Sequence, residues 1–178
     1  CKFGYLRHVI HVVPQKSNLF SGTIKDNLLM GDRSADDRDI DFALKVSQSA
    51  EFVSKLKDGT DTLIEEKSNN LSGGQKQRLC IARAIMGHPR ILIFDDSSSA
   101  LDFATDAALR KALKENLNDT TVFLVSQRVN TVKNADKILV LDDGELVATG
   151  THKELYKTNE VYRDICLSQL SEKEVASV

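Results

Sequence analysis

The chain has 178 residues, 41% of them hydrophobic, which is enough for one domain that buries most of its apolar surface. Its 24 basic and 26 acidic residues are mixed along the sequence and give a net charge of -2, so a nucleic-acid partner is not expected. The widely separated Cys1, Cys80 and Cys166 argue against a zinc site or disulfide framework, and no apolar run approaches the roughly 20 residues that cross a bilayer.

The first third of the chain is predicted to contain a strand, a loop and two helices. β-branched residues over 9–13 end at Pro14, which predicts a strand followed by a loop over residues 15–22. Apolar residues recur at helical spacing between residues 34 and 57, whereas residues 59–70 are polar and irregular. Because residue 1 is not Met and strand-like sequence begins at once, we expect the sequence to be a piece of a longer protein.

The middle third combines a helix with a buried strand. A helix opens at residues 71–74 and stops at residues 87–89, and its predicted apolar face consists of Leu79, Ala82, Ile85 and Met86. The apolar run over residues 91–94 is too short for a helix and is bounded by a proline and two aspartates. It predicts a strand buried on both faces, as in a parallel sheet.

The last third alternates helices and strands. The predicted elements are a helix at residues 106–116, a strand at 121–125, a short helix from 130, a strand at 137–141, a hairpin turn at 142–144, its second strand at 145–149, and helices at 152–157 and 161–170. The sequence therefore predicts an α/β fold with a helical insertion at about residues 34–87 and a sheet core on either side of it. The tail at residues 171–178 is expected to be loose.

The start of the middle helix has the composition of an anion site. It consists of Leu71, Ser72, Gly73, Gly74 and Gln75. A helix N-terminus presents unpaired N–H groups and the positive end of the helix dipole, and both favour an anion. Glycine lets the backbone approach a ligand, and Ser72 and Gln75 can add hydrogen bonds. The pattern leaves open both a phosphate-binding site and an ordinary serine cap with a glycine turn.

Two carboxylates follow the buried strand. Asp95 and Asp96 lie at its carboxyl end, which is where open α/β folds bind their ligands. One carboxylate can hold Mg²⁺ through water, and the next can face a nucleophilic water. Paired aspartates after a strand also form simple turns or helix caps, and this is the alternative.

Five short strings together resemble the motifs of ABC-transporter ATPases, in that family's order and spacing. They are residues 13–24 (Q-loop), 71–78 (signature motif), 91–96 (Walker B strand), 99–102 (D-loop) and 125–128 (switch or H-loop). The resemblance covers about residues 5–165 and implies a P-loop NTPase (RecA-like) fold with a parallel-sheet core that is incomplete at its N-terminus. It divides the chain into core residues 1–33, a helical subdomain at 34–87 and core residues 88–170.

The resemblance also implies a role for each matching residue. Gln15 and Asp95 would bind Mg²⁺, and Asp95 would be the Walker B carboxylate. Residues 71–75 would cap the γ-phosphate of ATP held by a second nucleotide-binding domain, and Asp102 would reach across the interface of that dimer. Glu66 stands where exporters carry a Gly-Glu-Arg segment, but the glycine is missing here, so a solvated charge run is an equal alternative.

Three departures from the family pattern bear on activity. The phosphate-binding Walker A loop, GxxxxGK[ST], is not among the 178 residues, so we expect this chain alone to bind ATP poorly and to be inactive. Asp96 stands where the family has Glu, and its shorter side chain should slow hydrolysis. Gln127 replaces the H-loop histidine and cannot carry the positive charge of an imidazole. Asp96 and Gln127 are therefore the predicted catalytic positions of a weakened site.

These features together resemble the degenerate half of a heterodimeric ABC exporter. ATP and Mg²⁺ are the implied cofactors. The implied partners are a second nucleotide-binding domain and a transmembrane domain whose coupling helix contacts residues 15–24, and no nucleic acid. The full protein would lie on the cytoplasmic side of the cell membrane, with this piece itself soluble. The alternatives are a non-transport ABC ATPase acting on nucleic acid or ribosomes, and a regulatory module that has lost catalysis.

Overall fold

The computed structural model describes residues 3–65, 70–97 and 100–170. Its α-helices are α1 (Phe3–Val9), α2 (Ile24–Leu29), α3 (Asp37–Val46), α4 (Ala50–Ser54), α5 (Gly73–Met86), α6 (Phe103–Asn116), α7 (Val129–Val132), α8 (His152–Thr158) and α9 (Glu160–Gln169). Its strands are β1 (Ile10–Val13), β2 (Gly22–Thr23), β3 (Leu63–Ile64), β4 (Ile91–Asp95), β5 (Thr121–Val125), β6 (Ile138–Asp142) and β7 (Glu145–Gly150). The predictions for Glu66, Ser99 and residues 171–178 lie outside the described residues.

The centre of the fold is a three-stranded parallel sheet in the order β1-β4-β5. Val13 lies opposite Phe94, and Asp95 lies opposite Val125, so the carboxyl ends of the strands meet at one edge. The predicted parallel sheet is therefore confirmed. Two small antiparallel pairs, β2-β3 and β6-β7, accompany it.

The two faces of the central sheet are buried to different extents. Leu92 and Phe94 on one face of β4 are 0% and 5% exposed, and each such side chain contributes about 1.5–3 kcal/mol by its burial. The opposite face includes Val12 and Phe123, which are 54% and 47% exposed. The prediction that β4 is buried on both faces was therefore wrong for the described chain, in which Ile91 and Ile93 are only partly buried.

Several local predictions also need correction. The described residues begin with α1 rather than with a strand, and Arg7 in the last turn of α1 complements the negative end of the helix dipole. α2 was not predicted, although Thr23 and Asp26 form a reciprocal capping box at its start. The region predicted to be irregular contains a 3₁₀ turn at Gly59–Asp61 and then β3, which pairs with β2.

The chain divides into two compact units, which separate between Val125 and Ser126. In the first, the core is formed by α2, α3, α5 and α6 together with the buried face of the sheet, and it includes Leu28, Leu44, Leu79, Ile81, Leu92 and Leu109. In the second, Val129, Val140, Leu155, Tyr162 and Cys166 form a separate core. The predicted subdomain boundaries at residues 34 and 87 remain a prediction.

Across the described residues, none of the helices combines the length and apolar character that a bilayer crossing requires.

Candidate nucleotide site

The sheet edge brings three of the predicted site residues together. Gln15 lies two residues beyond Val13 and Asp96 two residues beyond Phe94, so the strand register places them side by side. The Gln15 side-chain amide donates a hydrogen bond of 3.0 Å to Oδ2 of Asp96. Asp95, the last residue of β4, is exposed. Gln15 therefore contacts Asp96 rather than Asp95. Gln15 uses its amide nitrogen in this hydrogen bond, and its amide oxygen takes no part in it.

Asp96 has an unusual backbone conformation. Its φ is +45°, in the left-handed region, which aspartate tolerates better than most residues. Its N–H donates to the carbonyl of Val125 at 2.9 Å, which extends the pairing of β4 with β5 by one residue. The chain thus turns sharply at the point where the carboxylate leaves the sheet.

The N-terminus of α5 is capped by its own side chains. The Ser72 hydroxyl accepts the backbone N–H of Gln75 at 3.2 Å, and the Gln75 side-chain oxygen accepts the N–H of Ser72 at 2.8 Å. This is the serine cap that was considered as the alternative. It does not exclude an anion site, because the Ser72 hydroxyl still has its proton and the Gln75 amide still has its NH₂ group to donate. Ser72 and Gly73 are both exposed.

The two glycines at this helix start have different surroundings. A Cβ atom on Gly73 would meet nothing within 4 Å. A Cβ on Gly74 would lie 3.2 Å from the carbonyl oxygen of Ala100 and 3.8 Å from Leu101. Gly74 therefore allows the helix tip to lie against the loop before α6, whereas Gly73 leaves the helix tip open to solvent.

Further along α5, polar side chains of the motif hold the fold together. Gln77 is fully buried and donates to the carbonyl of Pro14 at 3.1 Å. Arg78 donates to the carbonyl of Gln48 at 2.6 Å and stacks over the ring of Phe52, and burial lowers the pKa of its guanidinium. The C-terminal part of the signature string thus packs α5 against its neighbours.

Asp102 is the N-cap residue of α6. Its two carboxylate oxygens accept the backbone N–H and the hydroxyl of Thr105, at 2.9 and 2.8 Å. These hydrogen bonds lower the pKa of the Asp102 carboxyl. The cap also explains why α6 begins at Phe103, three residues before the predicted start. Both carboxylate oxygens of Asp102 are therefore engaged by its own helix.

The loop between β1 and α2 is organised by one buried amide. Asn27 is fully buried; its side-chain oxygen accepts the N–H of Phe20 at 2.8 Å, and its NH₂ group donates to the carbonyls of Phe20 and Thr23. The ring of Phe20 is 54% exposed and lies 5.5 Å from the guanidinium of Arg83. The predicted contact loop thus presents an aromatic ring on a fixed backbone.

Gln127 lies in the second compact unit, with an exposed side chain. Its backbone carbonyl accepts the side-chain amide of Gln169 at 2.8 Å. The neighbouring Arg128 N–H donates to the hydroxyl of Ser126 at 3.1 Å.

Comparisons with known proteins identify the family. A family model described as ABC transporter matches residues 3–99. A Rickettsia felis protein named as an export ATP-binding/permease protein is 42% identical over 166 residues, which is 93% of this chain and 29% of that protein. The chain belongs to the ABC transporter family. The resemblance carried by the five motif strings is therefore confirmed.

Other members agree with this ABC domain in sequence and in fold. Bacillus subtilis YheI, named as a multidrug resistance ABC transporter ATP-binding/permease protein, is 44% identical over 159 residues, or 89% of the chain and 27% of YheI. A bacterial Atm1-family ABC exporter solved with ATP bound has a TM-score of 0.88 at 36% identity and covers 94% of the chain. The ABC domain spans about 30% of that exporter. The predicted α/β P-loop NTPase fold is confirmed.

The donor atoms present fit ATP and Mg²⁺. The exposed tip of α5 offers backbone N–H groups, a hydroxyl proton and an amide NH₂ group, all of which suit phosphate oxygens. At the sheet edge, the amide oxygen of Gln15 and the carboxylate of Asp95 are hard oxygen ligands of the kind that Mg²⁺ takes.

Three residues whose side-chain amides hold backbone segments near the predicted site residues were missed from the sequence. They are Asn27, Gln77 and Gln169. A Thr-x-x-Asp capping signal at residues 23–26 could have indicated α2, and with it the place of Asn27. Gln77 is a polar residue among the buried residues of α5, and a glutamine at such a position could have indicated its structural role.

Proposed function

We propose that this ABC domain binds and hydrolyses ATP within an ABC exporter and couples those steps to transport across a membrane. We further propose that its own nucleotide site is degenerate and that its signature helix completes the site of a partner domain. The chain spans about 30% of the length of the exporters that it resembles. In such an exporter it would be the nucleotide-binding domain.

The observation that carries the proposal is the exposed tip of α5. Its capping box satisfies two backbone groups internally and leaves Ser72 and Gln75 each with a donor to offer. Because Gly73 has no side chain and open space around it, an anion can approach the backbone N–H groups directly. This arrangement supports the capping of the γ-phosphate of a nucleotide held by a neighbouring domain.

The case for a weak own site depends on Asp96 and Gln127. The Asp96 carboxylate hydrogen-bonds to Gln15 at 3.0 Å, and the aspartate side chain is one methylene shorter than the family's glutamate. A misplacement of about 1 Å can cost roughly 100-fold in rate. Gln127 can donate a hydrogen bond to a phosphate but cannot take up a proton as histidine does. Bound Mg²⁺ would supply the neutralisation of phosphate charge that phosphoryl transfer requires.

The partners follow from the same surfaces. Residues 15–24, with the exposed ring of Phe20, would contact a coupling helix of a transmembrane domain. The tip of α5 and Asp102 would face a second nucleotide-binding domain that carries the active site, which makes a heterodimer. The domain would then work on the cytoplasmic side of the cell membrane.

A gain-of-function variant of the complete transporter tests the proposal. The double substitution Asp96→Glu with Gln127→His should raise ATP turnover at this domain's own site about tenfold or more, since it restores the length of one group and the proton chemistry of the other. Glutamate at a φ of +45° should lower the melting temperature slightly, so thermal unfolding is measured in parallel.

The matched control is Asp95→Glu in the same transporter. It adds the same methylene one residue earlier, at the carboxylate proposed for Mg²⁺, and should lower turnover. If the double variant binds ATP at its own site and hydrolyses it no faster than the parent, the degenerate-site proposal is wrong.

The chain by itself should behave differently from the complete protein. Its 178 residues contain no GxxxxGK[ST] loop, so the isolated chain should bind ATP poorly and hydrolyse none. Titration of the isolated chain with a fluorescent ATP analogue and Mg²⁺ checks this. Saturable micromolar affinity would contradict it.

A further inference from the structure

The loop that carries Gln127 is held at two points by one side chain of the last helix. The Gln169 amide NH₂ group donates to the carbonyl of Gln127 at 2.8 Å, and its amide oxygen accepts the backbone N–H of Val129 at 3.0 Å. All three residues belong to the second compact unit. One primary amide thus contacts the backbone on both sides of Arg128.

This two-point contact supplies a hydrogen-bond acceptor that the N-cap residue of α7 cannot provide. Val129 is the first residue of α7, and the first N–H groups of a helix have no partner inside it. The N-cap residue is Arg128, whose side chain has donors and no acceptor, so it cannot cap the helix in the way that Ser, Thr, Asn or Asp does. The Gln169 oxygen supplies that acceptor from another helix.

Gln169 is fixed in place by the packing of α9. Tyr162 and Cys166 on the same helix are 3% and 0% exposed and belong to the core of the second unit, and the adjacent Leu170 is also buried. Gln169 itself is at the surface. Its amide therefore reaches the loop from a rigid support, while the Gln127 side chain remains exposed.

We propose that Gln169 is a positioning residue for Gln127: it sets the backbone of residues 127–129 so that the Gln127 side chain meets the nucleotide. This inference depends on the proposed role of Gln127 in the domain's own site. Gln169 acts through the loop and does not touch the nucleotide.

A double-mutant cycle in the complete transporter tests this role, with the dissociation rate of radiolabelled ATP and Mg²⁺ as the readout. Gln127→Ala and Gln169→Ala should each accelerate dissociation from the domain's own site, by about fivefold for hydrogen bonds of ordinary net strength. The double variant should release ATP no faster than Gln127→Ala alone, because Gln169 acts through Gln127. Ser168→Ala is the matched control, since the Ser168 hydroxyl donates to the carbonyl of Ile165 within α9 itself.

A second measurement reports on the contact without any nucleotide. In the 178-residue chain, Gln169→Ala should speed hydrogen exchange at the Val129 amide, while Ser168→Ala should leave it unchanged. Gln169→Glu keeps an acceptor for Val129 but loses the donor to Gln127, so it should preserve protection at Val129 and still accelerate ATP dissociation. Unchanged protection at Val129 together with faster ATP dissociation would separate the positioning of Gln127 from general support of α7.

The outcomes separate this inference from the function on which it depends. If Gln127→Ala changes ATP dissociation and Gln169→Ala does not, the positioning role is wrong and the proposed site stands. Additive effects in the double variant also overturn it, because Gln169 would then act independently of Gln127. If Gln127→Ala has no effect, both proposals fail.

Discussion

The two helix starts that carry family motifs, α5 and α6, are both exposed and capped, but they differ in charge. At α5 the cap is the neutral pair Ser72 and Gln75, and the first turn, which the structure describes in full, contains no acidic residue. At α6 the cap is Asp102, with Asp106 in the first turn. The N-terminus of a helix favours negative groups nearby, and α6 already has two in its own sequence.

The comparison shows that an N-cap and an anion site are compatible only under certain conditions. Both helices satisfy their first N–H groups from within the chain. Only α5 does so with neutral side chains that keep unused donors, so only its positive end is left for an external anion. Changing the charge or the cap of either helix start therefore tests the comparison.

The largest effect is expected from Gly73→Asp, which gives α5 the charge pattern of α6. A carboxylate at this position should repel a phosphate, and turnover at the partner's site should fall by 100-fold or more, a range typical for loss of an electrostatic contact in the transition state, ~10²–10³. The fold should be unharmed, because a side chain at Gly73 meets nothing within 4 Å and an acidic residue suits a helix start.

ATPase activity and thermal unfolding of the complete transporter are measured together for this variant. Gly73→Ala is the control: it adds a side chain without charge and should lose much less activity. A large loss of stability in Gly73→Asp, or equal loss of activity in both variants, would show that the tip matters for its shape and not for its charge.

An intermediate effect is expected from Ser72→Ala, which removes the α5 cap. Loss of a serine cap costs about 1 kcal/mol of stability. Turnover at the partner's site should also fall, by about tenfold, because the hydroxyl donor to phosphate is lost with it. Ser72→Thr keeps the hydroxyl and should restore most of both properties; a threonine variant as poor as the alanine variant would count against the hydroxyl.

The smallest effect concerns the charge at α6. Hydrogen bonds from Thr105 lower the pKa of Asp102 from its ordinary value of 3.8, so its contribution to stability is complete above that value and is lost as the pH falls through the lowered pKa. Asparagine is an equally good cap without the charge. The melting temperature of the parent should therefore fall more steeply than that of Asp102→Asn below about pH 4.

Parallel melting curves of the 178-residue chain between about pH 2 and 6 test this prediction, since the other carboxyl groups titrate in both proteins. Identical pH profiles would mean that the Asp102 charge is no better stabilised in the folded chain than in the unfolded one.

The sequence was informative where local rules decide the structure. α5 begins directly after its serine N-cap and ends before a glycine and a proline, and β4 is a short apolar run between a proline and aspartates. These breakers and periodicities act over a few residues. The pairing of Gln15 with Asp96 could be anticipated only as a shared sheet edge, because parallel strands place their carboxyl ends together.

The long-range amide contacts could not be predicted in the same way. Gln77 bonds to a carbonyl 63 residues earlier, and Gln169 bonds to residues 42 and 40 positions before it. Glutamine is a good helix former. The partners of its side-chain amide are set by tertiary packing and leave no periodic signal in the sequence. Gln127 was noticed only because it interrupts a family pattern, whereas Asp96 was also marked as the second carboxylate after the buried strand.

The buried Asn27 has a mechanical consequence for the loop that carries Phe20. Its three hydrogen bonds fix the backbone on both sides of the turn that carries Phe20, so the exposed ring is held ready before any contact is made. A protein that docks on this ring would lose little binding free energy to the ordering of a flexible segment. A force on Phe20 would therefore be transmitted through Asn27 to α2, and the loop and the helix would move together as a rigid unit.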